Sequence, residues 1–339
     1  MNQWGFFDEL KVGTVRNVYL FYGLEAYIRK SAVAALKKKL LLPGFESMNC
    51  SVLNNPEAQQ IIEHCETLPM LSDYRLTIVQ DLALLQSGKA KDEAQESAAL
   101  CDYLSRVPQT SCLLFDVAVV DKRKKLAQAL LKLPGAVSFD ALDDAHLARW
   151  MNQTLSPLGK KMNKTACETL AFVSGRDLTL LSGELEKLAA YVGSREQITP
   201  EDIERIATHT AECTVFSMVD ALSEGRAQEA FTLLNTLIQG GEQRIGILAL
   251  ITRHCRQMMY LREMQAARMP QGDIARALGV PPFAIARLSR QAGRRSLAQL
   301  RALLGQCVQA DYDIKRGALR EDAALERLML SMAAPDAGA

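Results

Sequence analysis

The sequence predicts a mixed α/β domain with a mainly parallel sheet, followed by two segments that are all helix. Three observations carry this. Short β-rich runs alternate with helix-length stretches as far as about residue 140, the pattern of strands joined by helical crossovers and covered on both faces. Beyond that point only helical periodicity remains, punctuated by glycine and proline. The turn GLEAYIRKS, 23–31, also follows the first strand at the place where a nucleotide-binding domain of this alternation carries its phosphate loop.

In chain order, VYLFYG (18–23) is a first strand and a helix runs from Leu24 to about Leu40. ESMNCSVL (46–53) reads as a second strand, and Asn55 is placed to cap a helix whose first position is Pro56. That helix ends in LPMLSDYRLTIVQD (68–81), whose Arg75–Asp81 part is a third strand. A helix over 92–107 precedes SCLLFDV (111–117), a strand apolar enough to be buried on both faces. Asp121 is placed to cap KRKKLAQALLKL, and AVSF (136–139) is the last strand. Asp143 and Asp144 open a helix through Trp150; helices over 164–174, 178–192 and 200–208 follow, with Gly175 and Gly193 as stops. From about 211 the chain reads as a helical bundle interrupted at Gly225, Gly240-Gly241, Pro270, Pro281-Pro282 and Gly293, with an AAPDAGA tail expected to fray. The expected domains are therefore 1–140, 141–210 and 211–339.

At 48% hydrophobic and 23% charged, the 339 residues make sizeable cores. No run of about 18 apolar residues suggests a membrane span, and the first residues lack the pattern of a signal peptide, so a cytoplasmic protein is expected. The eight cysteines form no Cys-x-x-Cys pair and the four histidines no zinc-finger spacing, which predicts reduced thiols and no metal. The net charge of +1 hides an asymmetry: residues 240–339 carry 15 Lys and Arg against 9 Asp and Glu. Charge of one sign concentrated in this way suggests a polyanionic partner.

The chemistry-bearing motifs are few. Counted from Gly23, the second glycine, lysine and hydroxyl of a phosphate loop fall on Ile28, Arg29 and Lys30, so ATP hydrolysis is not expected. No nucleophile elbow, carboxylate pair or His-Glu-x-x-His motif appears. DKRKK (121–125) reads as a capped first turn with its lysines in water; cations there oppose the helix dipole, which leaves room for an anionic contact such as a DNA backbone. QGDIARALGVPPFAIARLSRQA (271–292) has the outline of a helix-turn-helix that would present Phe283, Ala284, Arg287 and Arg290 to DNA. Its prolines and scarcity of amide side chains make it a poor base reader, and a helical hairpin is preferred. Met70 and Leu71 are two large apolar side chains in a turn, where Gly, Pro, Asn, Asp and Ser usually stand. Either they fold back as a helix-strand packing contact or they are offered to a partner.

Several stretches together resemble the delta subunit of the bacterial DNA polymerase III clamp loader: VYLFYGLEAYI (18–28), LPMLSDYRLTIVQD (68–81), VVDKRKKLAQAL (119–130), GRDLTLLSGELEKLAAYVG (175–193) with ITPEDIE (198–204), and ADYDIKRG (310–317). Their order and spacing span nearly the whole chain. The resemblance implies an AAA+-like α/β domain without a working nucleotide site, a three-helix lid and a helical collar through which a hetero-oligomer forms. It implies that the apolar pair Met70 and Leu71, with Leu68 and Pro69 shaping the approach, inserts into a pocket on the ring-shaped sliding clamp (beta). The family often has Leu-Phe here; Met-Leu lacks the aromatic, though methionine adapts well to irregular pockets. The implied partners are the clamp, the gamma/tau and delta-prime subunits and primer-template DNA, with no cofactor and no catalysis by this chain. Tyr312 and the basic run Lys122, Arg123 and Lys124 are the expected DNA-proximal residues. The alternatives are a DNA-binding regulator using 271–292 and an active AAA+ ATPase. The sister delta-prime subunit carries a Ser-Arg-Cys motif that this sequence lacks.

Overall fold

The computed structural model describes residues 1–88 and 93–333 and divides into two compact units, Met1–Asp143 and Asp144–Ala339. Position 92 of the expected 92–107 helix and the tail from 334 onward lie outside the described residues.

The first unit runs α1 (Gln3–Lys11), β1 (Val18–Tyr22), α2 (Ala26–Leu40), α3 (Glu46–Asn49), β2 (Cys50–Asn54), α4 (Ala58–Glu66), β3 (Arg75–Gln80), α5 (Glu93–Tyr103), β4 (Ser111–Val117), α6 (Lys125–Leu131) and β5 (Ala136–Ser138). The strands form one sheet in the order β2-β3-β4-β1-β5, every pair parallel. β1, β3 and β4 are buried nearly throughout, as expected of inner strands with helices on both faces. On one side of β1, Phe6, Tyr19, Phe21 and Phe139 pack edge to face, with centroids 4.9 to 5.8 Å apart. Opposite them Val79, Leu113, Phe115, Leu126 and Leu130 belong to a second apolar cluster.

Three local expectations are corrected. Residues 46–49 form a helical turn instead of the start of β2, because Glu46 accepts the Gly44 N–H at 2.8 Å and Asn49 donates to the Phe45 carbonyl at 3.2 Å, satisfying this backbone locally. Asn55 does not cap α4: its Oδ1 accepts from the Ala83 N–H at 2.8 Å, while the Glu57 N–H donates to Gln60 Oε1 at 3.1 Å at the helix start. Asp121 does not cap α6 either, since the helix begins at Lys125 and residues 121–124 form a turn closed by the Lys124 N–H on the Asp121 carbonyl, 3.1 Å. Helix α1, capped by Asn2 on the Gly5 N–H, was not expected.

The second unit opens with α7 (Asp144–Leu155), β6 (Lys161–Met162), α8 (Lys164–Ser174), α9 (Leu178–Tyr191), β7 (Gln197–Ile198) and α10 (Pro200–Ile206). The two-residue strands β6 and β7 pair in parallel inside a segment that carries only helical signals in sequence. Caps follow composition: Asp177 accepts two backbone N–H groups at the start of α9, and Thr199 with Asp202 opens α10. Helices α11 (Ala211–Ser223), α12 (Ala227–Gln239), α13 (Arg244–Ala266), α14 (Gln271–Leu278), α15 (Pro282–Gly293), α16 (Leu297–Lys315) and α17 (Glu321–Ala333) share one continuous apolar core. No helix among the described residues is long and apolar enough to cross a membrane.

Candidate functional site

The segment between α4 and β3 is the outstanding apolar surface of the first unit. Leu68 is 75% exposed, Met70 57% and Leu71 72%, with Pro69 half-buried among them. Thr67 ends the helix, its N–H and hydroxyl both donating to the Glu63 carbonyl. Leu71 has φ +53°, a left-handed conformation that costs a non-glycine residue on the order of 1–3 kcal/mol and persists only where its surroundings impose it. The reading in which Met70 and Leu71 fold back into their own core is therefore set aside: they stand in water.

The frame beneath this tip is polar and fully engaged. The buried Asn49 carboxamide accepts the Met70 N–H at 2.7 Å and donates to the Met70 carbonyl at 2.8 Å. Arg75, the first residue of β3, donates to the His64 carbonyl, the Met48 carbonyl and Ser51 Oγ at 3.0, 3.0 and 3.1 Å. One guanidinium thus ties the end of α4 to α3 and to β2. Met48, half-exposed beside Asn49, adds a further apolar side chain. Sequence reasoning found the apolar residues and missed Asn49 and Arg75, whose long-range partners lie 11 to 27 residues away.

At the end of β1 the missing phosphate loop has a structural counterpart. Gly23 has φ +127°, and a Cβ there would meet the Phe139 carbonyl oxygen at 2.2 Å, so only glycine fits. Arg29, at the position of the loop lysine, places Nε 2.5 Å from Asp116 Oδ1 at the end of β4 and donates to the Gly23 carbonyl. Both side chains are nearly buried. The cation that a phosphate would need is neutralised by the protein itself.

Two family models match most of the chain. One described as "DNA polymerase III, delta subunit" matches residues 19–140, and one described as "DNA polymerase III delta subunit, C-terminal domain" matches 212–332. The chain belongs to the DNA polymerase III delta-subunit family. A middle-domain model covers 146–205 of this delta chain. It is 27% identical over 328 residues to DNA polymerase III subunit delta of Bacillus subtilis (strain 168), spanning 95% of this chain and 94% of that protein. It is 22% identical over 262 residues to the subunit delta of Escherichia coli (strain K12), spanning 74% and 73%. Among solved structures, the Bacillus subtilis DNA clamp loader delta protein superposes with a TM-score of 0.60 at 26% identity, covering 98% of this chain and 99% of that one.

The remaining expected site residues of the delta chain fall in two groups. Lys122 and Arg123 are exposed, with Arg123 paired to Asp121 at 2.7 Å and holding that carboxyl well below its usual range through their hydrogen bonds. Lys124 is turned inward, bonded to Glu93 at 3.0 Å and to the Gly88 carbonyl at 2.9 Å. In the second unit Tyr312 is 58% exposed on α16, with the Arg316 guanidinium 5.2 Å from its ring centroid.

The helix-turn-helix outline does form helices, α14 and α15, joined through Gly279 at φ +63°. Three of the four residues of its supposed base-reading face are engaged within the fold, and Arg290 is exposed. Ala284 is buried, Phe283 packs on the helical core, and Arg287 pairs with Asp220 at 2.7 Å over the Phe216 ring. Part of the basic charge is likewise paired: Arg253 with Glu212, Arg244 with Asp322 and Arg301 with Glu263. Glu212 lies outside the 240–339 segment whose charge looked so one-sided.

Proposed function

We propose that this delta-family chain binds the sliding clamp through the tip Leu68, Pro69, Met70 and Leu71 and favours the clamp's open ring, so that the ring closes around primed DNA. The observation that carries the reading is the exposure of Met70 and Leu71 on a frame that holds them outward. Large apolar anchors kept in water and aimed by a rigid support are what a protein-binding hot spot requires.

The mechanism is mechanical. A clamp opens only by as much as delta prefers the open to the closed ring, because a ligand shifts an equilibrium by its differential affinity alone. The chain itself does no chemistry in this scheme; Arg29 and Asp116 occupy each other where a nucleotide's charges would lie, and ATP is used by neighbouring gamma/tau subunits. The helical bundle from 211 onward serves as the collar that joins those subunits and delta-prime, and 144–206 corresponds to the lid. In the assembled cytoplasmic loader, Tyr312, Lys122 and Arg123 are the side chains placed to meet primer-template DNA, through stacking and phosphate contact; Lys124 takes no part, being held internally.

The test is co-migration of the purified chain with its own sliding clamp in size-exclusion chromatography. A stable complex is expected from the chain alone, with only weak binding to duplex DNA. Failure to co-migrate at micromolar concentration, or tight sequence-specific DNA binding by the isolated chain, refutes the reading.

A further inference from the structure

Asn49 ends α3 with its side chain wholly buried. The carboxamide has two N–H donors and one acceptor oxygen, and all are used on backbone: Nδ2 donates to the Met70 carbonyl at 2.8 Å and the Phe45 carbonyl at 3.2 Å, and Oδ1 accepts the Met70 N–H at 2.7 Å. Two of the three bonds therefore hold the two faces of one peptide residue, and that residue carries an anchor. The next residue, Leu71, is kept at a φ of +53°. We propose that Asn49 is the positioning residue of the tip: it sets Met70 and Leu71 in their binding geometry before the clamp arrives, so that little ordering entropy is lost on association. This rests on the reading of the tip as the clamp-binding element.

An amide is required because Met70 presents one donor and one acceptor side by side. A carboxylate in the same place keeps the bond from the Met70 N–H and faces the Met70 carbonyl with a second acceptor. A neutral carboxylic acid regains an O–H donor.

The experiment measures the affinity of the full chain for its sliding clamp, together with Tm, for Asn49→Ala, Asn49→Asp, the double variant Met70→Ala with Leu71→Ala, and the triple variant adding Asn49→Ala. Asn49→Ala is expected to weaken clamp binding on the order of tenfold, to remove hydrogen-exchange protection from the Met70 amide, and to lower the residual affinity of the double variant no further. Asn49→Asp is expected to bind weakly at pH 8 and to recover relative to Asn49→Ala as pH falls and the introduced carboxyl takes up its proton. Comparison at equal pH cancels the titration of neighbours. This variant also keeps the side-chain volume should Asn49→Ala not fold.

If the double variant loses the clamp while both Asn49 variants bind as wild type, the positioning role falls and the tip reading stands. If the double variant itself binds as wild type, the tip reading falls and takes this inference with it. If Asn49→Ala lowers affinity equally in both backgrounds and Asn49→Asp shows no recovery at low pH, Asn49 is merely structural and the inference is overturned.

Discussion

Replacing Met70 and Leu71 together by alanine separates an anchor from a core contact, and the structure sets the size of each effect. Complete burial of a Met or Leu side chain is worth about 1.5–3 kcal/mol. With Met70 57% and Leu71 72% exposed, the pair keeps about 2–4 kcal/mol in reserve for a partner and gives about 1–2 kcal/mol to its own fold. Clamp affinity measured by surface plasmon resonance is therefore expected to drop about 30- to 700-fold. Scanning calorimetry is expected to show Tm lower by only a few degrees. Binding within about threefold of wild type, or a Tm loss above about 10 °C, refutes the reasoning; the first outcome removes the anchor, the second makes it a core residue.

Arg29→Ala leaves the nearly buried Asp116 carboxylate without its partner, so stability by urea denaturation is expected to fall by about 2–4 kcal/mol. ATP binding is expected to stay undetectable by calorimetry, since the loop still lacks its lysine and hydroxyl. His254, buried against Gln291 with Nε2 2.8 Å from Oε1, has its pKa pushed down by burial to about 4. The unfolded chain then binds the proton more readily, so this group's contribution is full above about pH 6.5 and is lost as pH falls toward 4, up to about 3 kcal/mol. Unfolding free energies at pH 7 and pH 5 are expected to differ less in His254→Gln than in the wild type. Tyr312→Ala is expected to leave Tm unchanged, the ring being mostly in water, and to weaken binding of primed DNA by the assembled loader on the order of tenfold; unchanged DNA affinity removes Tyr312 from the site.

The parts of the fold legible in sequence were those written by burial. Cys112–Phe115 is an unbroken apolar run because both faces of β4 are covered, and Gly175 and Gly193 mark helix ends because each takes a positive φ there. The apolar tip was visible as a violation of turn composition. What stayed hidden was set by distant partners or by very short elements. Nothing near Asn49 announces that its amide will meet Met70, 21 residues on, and Asn55 serves Ala83 in place of the nearer helix. The paired strands β6 and β7 are two residues each, too short for any period to show. The Arg count of the C-terminal segment is incomplete for a related reason: charge tallied along a chain ignores acids brought in from elsewhere, such as Glu212 and Asp220.

Where Arg29 meets Asp116, the first unit fills with its own charges the place where a phosphate loop would hold a phosphate. Domains of this architecture act as clocks when what they hold is exchanged and cleaved. Here the occupant is a side chain of the same domain, so it is neither exchanged nor spent. Under the proposed function such a component takes its timing from subunits beside it, as a fixed lever does.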